Sequence, residues 1–163
     1  MKKKYSILVV TFCILLAADQ ASKLLIAHYV PLHHSRVVIP GFFALVHVQN
    51  KGAAFGLLAH IPAASTIFVV ISLIAVALIL VYFRSVKPGE VWTPFSLSLI
   101  VTGAVGNLID RFRVGRVVDF LDFHYHGWHW PAFNVADASI TIGVILLALK
   151  ILWGQQEGAE KET

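Results

Sequence analysis

The chain has 163 residues, of which 58% are hydrophobic and 13% charged, where an ordinary soluble domain carries about 25% charged residues. This excludes a disordered chain, and at this length one soluble core cannot hide so much apolar surface, so the excess must face lipid. The net charge of +4 comes from basic residues at the ends of apolar runs, with no patch interleaved with exposed aromatics, which argues against a nucleic-acid partner.

Lys2, Lys3 and Lys4 precede an apolar run from Tyr5 to Ala18, which is also how a secretory signal peptide begins. The run resumes after Asp19-Gln20-Ala21-Ser22-Lys23 with Leu24 to Ala27, so the sequence predicts a retained span over about residues 6–28 rather than a cleaved peptide. Its single cysteine, Cys13, lies inside this run and offers neither a disulfide framework nor a thiolate metal site. In residues 29–61, the stretch from Val37 to Gln49 mixes β-branched and aromatic residues around Pro40-Gly41, with partial alternation, and reads as a short hairpin or small sheet.

Residues 62–83 and 91–110 are apolar stretches of the roughly 20-residue length that crosses a hydrocarbon layer. Residues 111–133 follow, where Trp128, Trp130, Phe133 and several histidines suit a strip at headgroup level. The last span, 134–153, is apolar apart from Asn134, Asp137 and Lys150, and the polar stretch 154–163 reads as a disordered tail. The expectation is one integral membrane domain over 1–153, with four transmembrane helices. Four spans put both termini on one side, and Lys2 to Lys4, Arg84, Lys87, Lys150 and Lys161 make that side cytoplasmic by the positive-inside rule. Residues 29–61 and 111–133 then lie outside.

An ionisable side chain in mid-span costs roughly 2.5–3.5 kcal/mol on insertion scales, so those near spans must be paired, interfacial or useful. Four groups fall near the outer boundary: Asp19 with Lys23; Asn50-Lys51-Gly52; Asn107 with Asp110 and Arg111; and Asp119 with Asn134 and Asp137. Asp19 and Lys23, at i and i+4, share a helix face and can pair. Asn107, Asp110 and Arg111 share another face, beside Gly103 and Gly106, whose missing side chains let a neighbour approach. Asn134 and Asp137 fit an N-cap and its N3 acid. Asp119 sits in Val117-Val118-Asp119-Phe120-Leu121, where desolvation raises a carboxyl pKa. Two carboxyls from different elements, Asp119 and Asp137, could there share one proton and activate a water, one as base and one as acid.

Other chemistries read less well. Asp122 with His124, His126 and His129 has a ligand-like spacing, but no second dense ligand set follows, and amphipathic His/Trp/Tyr strips suit an interface without metal. Ser22-Lys23 is no Ser/Lys dyad, because adjacent helical residues point apart. A small membrane transporter or proton-relay subunit would also place carboxylates in spans. A phosphotransferase could gather Asp110, Asp119 and Asp122 around Mg²⁺.

Five segments in order carry a specific likeness: Asp19-Gln20-Ala21-Ser22-Lys23; Asn50-Lys51-Gly52-Ala53-Ala54-Phe55; Gly103-Ala104-Val105-Gly106-Asn107-Leu108-Ile109-Asp110-Arg111; Val117-Val118-Asp119-Phe120; and Phe133-Asn134-Val135-Ala136-Asp137. With them the chain resembles the lipoprotein signal peptidase (signal peptidase II) family of bacterial membrane aspartyl peptidases. The resemblance implies a membrane all-α core of four transmembrane helices with a small extracytoplasmic β cradle between the first two. It implies a catalytic pair at Asp119 and Asp137, with Asp19, Lys23, Asn50, Gly52, Asn107, Asp110, Arg111 and Asn134 binding substrate or supporting the site. The implied reaction removes signal peptides from lipid-modified prolipoproteins, cutting on the amino side of the diacylglyceryl-cysteine. No metal or organic cofactor is implied. The implied setting is the bacterial inner membrane, with the active site near the outer leaflet and membrane lipid as the other partner.

Overall fold

The structure is a computed structural model that describes residues 2–51 and 63–159, side chains as far as Trp153. The element order is α1 (Lys2–Tyr29), β1 (Ser35–Ile39), β2 (Phe43–Asn50), α2 (Ala64–Ser85), α3 (Trp92–Val114), β3 (Val117–Tyr125), β4 (Trp128–His129) and α4 (Val135–Ala159). All four helices are long and apolar enough to cross a membrane. In hydrocarbon only a helix satisfies its own backbone, so long uncharged runs leave the chain no other choice.

The helices are not equivalent. The apolar stretch of α3 is 67% buried inside the protein, against 11% for α1, 6% for α2 and 17% for α4. α3 is therefore the post around which the other three pack, and their outer faces are left to lipid. Pro94 in its first turn lacks only a donor that has no helical partner there. Gly115 ends it with φ +71°, and the Gly115 N–H closes on the Arg111 carbonyl at 3.0 Å.

Close packing of α3 against α4 and α1 depends on glycines. A methyl group at Gly103 would run into the Ala136 carbonyl oxygen and come within 2.7 Å of Ile140 Cγ1. One at Gly106 would lie 2.6 Å from Asp19 Oδ2, and one at Gly143 2.8 Å from the Ser96 carbonyl oxygen. Gly103→Ala should thus lower stability by about 1–3 kcal/mol from overpacking, more than the up to about 1 kcal/mol gained in helix propensity. A downward shift of the thermal unfolding midpoint in detergent checks the sign.

Lys4, near the start of α1, reaches across to the end of α2. Its Nζ donates to the carbonyls of Phe83 (3.1 Å), Arg84 (2.9 Å) and Val86 (2.8 Å) at the C-terminal end of α2, where helical donors run out. The start of α1 and the end of α2 therefore lie at one end of the bundle.

At the other end sits one antiparallel sheet of order β1-β2-β3-β4. The hairpin expected in residues 37–49 is present as β1 and β2. The segment 111–133, expected only as an interfacial strip, supplies β3 and β4, so the cradle draws on both of the segments that link the spans at this end. Val118 and Phe120 of β3 pack with Ile26 of α1 and Val30 just after it, and seat the sheet on the bundle. β2 pairs with β3 with a register irregularity between Leu45 and Val48, beyond which Val48 stands opposite Asp119 and Asn50 opposite Val117. Phe133 is strapped to β3 by the Phe120 and Leu121 N–H groups at 3.0 and 2.9 Å, which sets the start of α4 beside Asp119. α4 continues past Trp153 to Ala159, into the stretch expected as a tail.

Candidate active site

Asn134 is the junction of the site. Its Oδ1 accepts the Asp137 N–H at 2.9 Å and Asp137 Oδ2 accepts the Asn134 N–H at 3.3 Å, the reciprocal capping box the spacing suggested. Capping does not exhaust the residue. Its Nδ2 donates to Asp119 Oδ1 at 2.7 Å, with the Val118 carbonyl at 3.2 Å and Asn107 Oδ1 at 3.3 Å also in reach. Asn134 is fully buried, and one side chain thus ties β3, α3 and α4 together around both carboxyls. Asn107 holds Asp137 from α3, its Nδ2 donating to Oδ1 at 2.7 Å. Asn50 holds Asp119 from β2, its Nδ2 donating to Oδ2 at 3.2 Å.

Below this lies a buried ionic cluster. Lys23 Nζ is 2.9 Å from Asp19 Oδ2, 2.9 Å from Asp110 Oδ2 and 3.0 Å from Asn107 Oδ1, and all three charged side chains are at most 2% exposed. The expected pairing of Asp19 with Lys23 is present, but its setting is interior rather than interfacial. Asp19 Oδ1 also accepts the Ala136 N–H at 2.9 Å, in the first turn of α4, where orphan donors and the helix dipole favour a carboxylate. Asp110 Oδ2 accepts the Val118 N–H at 3.3 Å and so ties α3 to β3.

Gln20 was not singled out from the sequence as a site residue. Its Nε2 lies within hydrogen-bond distance of Asp19 Oδ2 (3.0 Å), the Gly106 carbonyl (3.2 Å) and Asp110 Oδ1 (3.3 Å). An uncharged amide inside a polar motif carries no signal of its own. Only its place between two acids from different helices gives it meaning.

Asp119, Asp137, Asn50, Asn107 and Arg111 all line one cavity of about 550 Å³, walled also by Trp130, Phe133 and Ile140. Arg111 reaches it with its guanidinium stacked over Phe68 of α2, 5.3 Å from the ring centroid. Burial, and next the negative charge of Asp137, push the Asp119 carboxyl up to about 7. The hydrogen bonds from Asn50 and Asn134 and the charge of Lys23 oppose that rise. A carboxyl that keeps its proton near neutrality can donate a hydrogen bond, which an ordinary aspartate cannot.

Of the residues expected at the site, Gly52 lies outside the described residues. Asn50, Asn107, Arg111, Asp119 and Asp137 line the cavity, Asp19, Lys23 and Asp110 form the ionic cluster beneath it, and Asn134 is buried against both carboxyls. Asp110, Asp119 and Asp122 do not converge: Asp110 closes on Lys23, and Asp122 lies against His129. Ser22 Oγ donates to the Asp19 carbonyl at 2.9 Å and Ser139 Oγ to the Val135 carbonyl at 2.8 Å, so each hydroxyl serves its own helix.

Comparison with known proteins bears directly on this geometry. The family model described as signal peptidase (SPase) II matches residues 11–153. The lipoprotein signal peptidase of Geobacter metallireducens is 44% identical over 152 residues, covering 93% of this chain and 94% of that protein. That of Desulforapulum autotrophicum is 48% identical over 145 residues, covering 87% and 89%. A solved structure described as a bacterial membrane enzyme, obtained by the in meso method at 2.3 Å, superimposes with a TM-score of 0.82 at 33% identity, covering 92% of this chain and 90% of the other.

Proposed function

The chain belongs to the signal peptidase II family, and on that premise we propose that Asp119 and Asp137 are its catalytic pair. The protein is an aspartyl protease that removes signal peptides from prolipoproteins, and a multi-pass protein of a bacterial membrane. The carrying observation for the pair is Asn134, whose amide holds Asp119 and whose cap holds Asp137, fixing two carboxyls from separate elements on one cavity.

In this reading a water sits between the two acids. Asp119 carries the proton at the start of the cycle and donates a hydrogen bond to the scissile carbonyl. Asp137, whose negative charge helps hold that proton on Asp119, takes a proton from the water as the hydroxyl attacks. Collapse of the tetrahedral intermediate breaks the carbon–nitrogen bond, and a proton passes to the leaving amine. Burial makes both the shared charge and the hydrogen bonds stronger than they would be in water. The chemistry asks for no metal or organic cofactor.

The bond cut is, in this reading, the one on the amino side of a diacylglyceryl-cysteine. Ile140, Thr141 and Ile142 of α4 line the cavity, and Ile142 is half exposed on the outer side of the bundle, which suits an acyl-bearing substrate arriving sideways from lipid. By the positive-inside rule the charges of Lys4 and Arg84 support a cytoplasmic position for their end of the bundle and for both termini, with the carboxyl pair near the outer leaflet. Purified protein should shorten a lipidated prolipoprotein, leave its unlipidated precursor intact, and be indifferent to chelators. Failure to cut the lipidated substrate overturns the assignment.

The pH dependence follows from the proton on Asp119. The proton-bearing form is complete below about 7 and is lost as pH rises through that value. The ratio kcat/KM should therefore fall on the alkaline side with an apparent pKa near 7, a property of the pair rather than of one residue. A rate that instead climbs through pH 7 would make Asp119 the base.

A further inference from the structure

We propose that Asp122, His124 and His129 form a binding site for a borderline divalent transition ion of the Zn²⁺ class, on the β3–β4 hairpin and separate from the carboxyl pair. Alternation along β3 puts Asp122 and His124 on one face, and register pairs His124 with His129 directly across the strands. The turn between them is held by His126 at φ +49° and Gly127 at φ +81°, a two-residue connection that leaves the pairing no slack.

Ligand atoms of the three residues lie within 4.8 Å of one another. His129 Nδ1 is 2.9 and 3.1 Å from the two Asp122 oxygens, and His124 Nδ1 is 3.4 Å from Asp122 Oδ2. Tetrahedral Zn²⁺ with bonds of about 2.0–2.2 Å to nitrogen and oxygen sets its ligands roughly 3.3–3.5 Å apart. Two of the three edges are thus already near that length, and the imidazoles stack at 4.9 Å between centroids.

A simple His–Asp hydrogen bond accounts for His129 but not for His124. The His124 Nδ1 is shielded from water and has no hydrogen-bond partner among the described residues, an arrangement a bound ion would satisfy. Two imidazoles and one carboxylate favour Zn²⁺, Ni²⁺ or Cu²⁺ over Mg²⁺ or Ca²⁺, which prefer all-oxygen shells. The Asp122 side chain is 10% exposed while that of His129 is 58% exposed, so the ion has a shielded anion to rest on and an open side to enter by. Water fills the fourth position. His126, exposed on the turn, takes no part, which corrects the four-residue set the spacing suggested.

Occupancy would stiffen the wall of the catalytic cavity. The hairpin runs directly into Trp130, Pro131, Ala132 and Phe133, and the Trp130 N–H donates to the Phe123 carbonyl at 2.8 Å. The full chain, purified in detergent without tag histidines, should bind about one equivalent of Zn²⁺ by titration calorimetry with micromolar or better affinity, and a thermal midpoint that rises with Zn²⁺. His124→Gln and His129→Gln should each weaken binding at least tenfold, while His126→Gln should leave it unchanged. Co²⁺ in place of Zn²⁺ should give visible bands of tetrahedral coordination, which a general surface effect would not. Metal-free cleavage of a lipidated substrate should be unchanged in the three variants. No saturable Zn²⁺ binding below about 1 mM, equal response to Mg²⁺, or undiminished binding in the His124→Gln/His129→Gln protein overturns the proposal.

Discussion

Asp119→Asn and Asp137→Asn proteins should each lose about 10³-fold or more in kcat while staying folded. General acid–base groups contribute roughly 10²–10⁴ each, and two groups that exchange one proton act as a unit, so the double variant should be hardly worse than either single one. Asparagine keeps the shape and one accepting oxygen. At position 119 that oxygen can still take the Asn134 amide, now 2.7 Å from Asp119 Oδ1, and at 137 it can still take the amide of Asn107. Structure should thus survive where chemistry does not. The check is release of signal peptide from a lipidated prolipoprotein, beside a helical circular dichroism spectrum and an unfolding midpoint lowered by no more than the one hydrogen bond each variant gives up, from Asn50 at 119 or from the Asn134 N–H at 137. A folded single variant retaining a tenth of the normal rate would rule out the pair.

Lys23→Met should be the most destabilising single change in the bundle, by about 3–5 kcal/mol, the scale for stripping one partner from a buried ion pair. Asp19 and Asp110 are 2% and 0% exposed, and without the ammonium the two carboxylates lose the charge that bridges them. The loss spreads, because Asp19 holds the first turn of α4 and Lys23 also holds Asn107, which holds Asp137. Activity should fall with stability. Combining Lys23→Met with Asp19→Asn and Asp110→Asn removes the stranded charges and should recover much of the midpoint, though not the rate. Unfolding of the Lys23→Met protein at the parent temperature would mean the cluster contributes little.

The four spans and the convergence of Asp19, Asn107, Asp119 and Asp137 at one depth were legible because lipid punishes every unpaired polar group. Each such residue is therefore conspicuous against its run. The cap at Asn134 was legible for a local reason, a fixed spacing of three. The pairing of β2 with β3 was not. Val117 to Phe123 shows no clean alternation, since the strand is covered on both faces along Val117 to Phe120, and its partner lies across two helices in sequence. Gln20 and Lys4 escaped for a related cause. One looks like ordinary polarity and the other like a topological charge, and only the fold reveals what each touches.

Lys4 links two decisions usually treated as separate. The carbonyls it gathers belong to the last turn of α2 and the residues just after it, and had α2 threaded the bilayer in the opposite sense they would lie a hydrocarbon thickness of about 30 Å away. A correctly threaded second helix is thus the only one the amino-terminal lysine can latch, and a misthreaded copy keeps both an ammonium and a helix end unsatisfied. A side chain counted in the sequence only for its charge is thus also a tie between the first two helices.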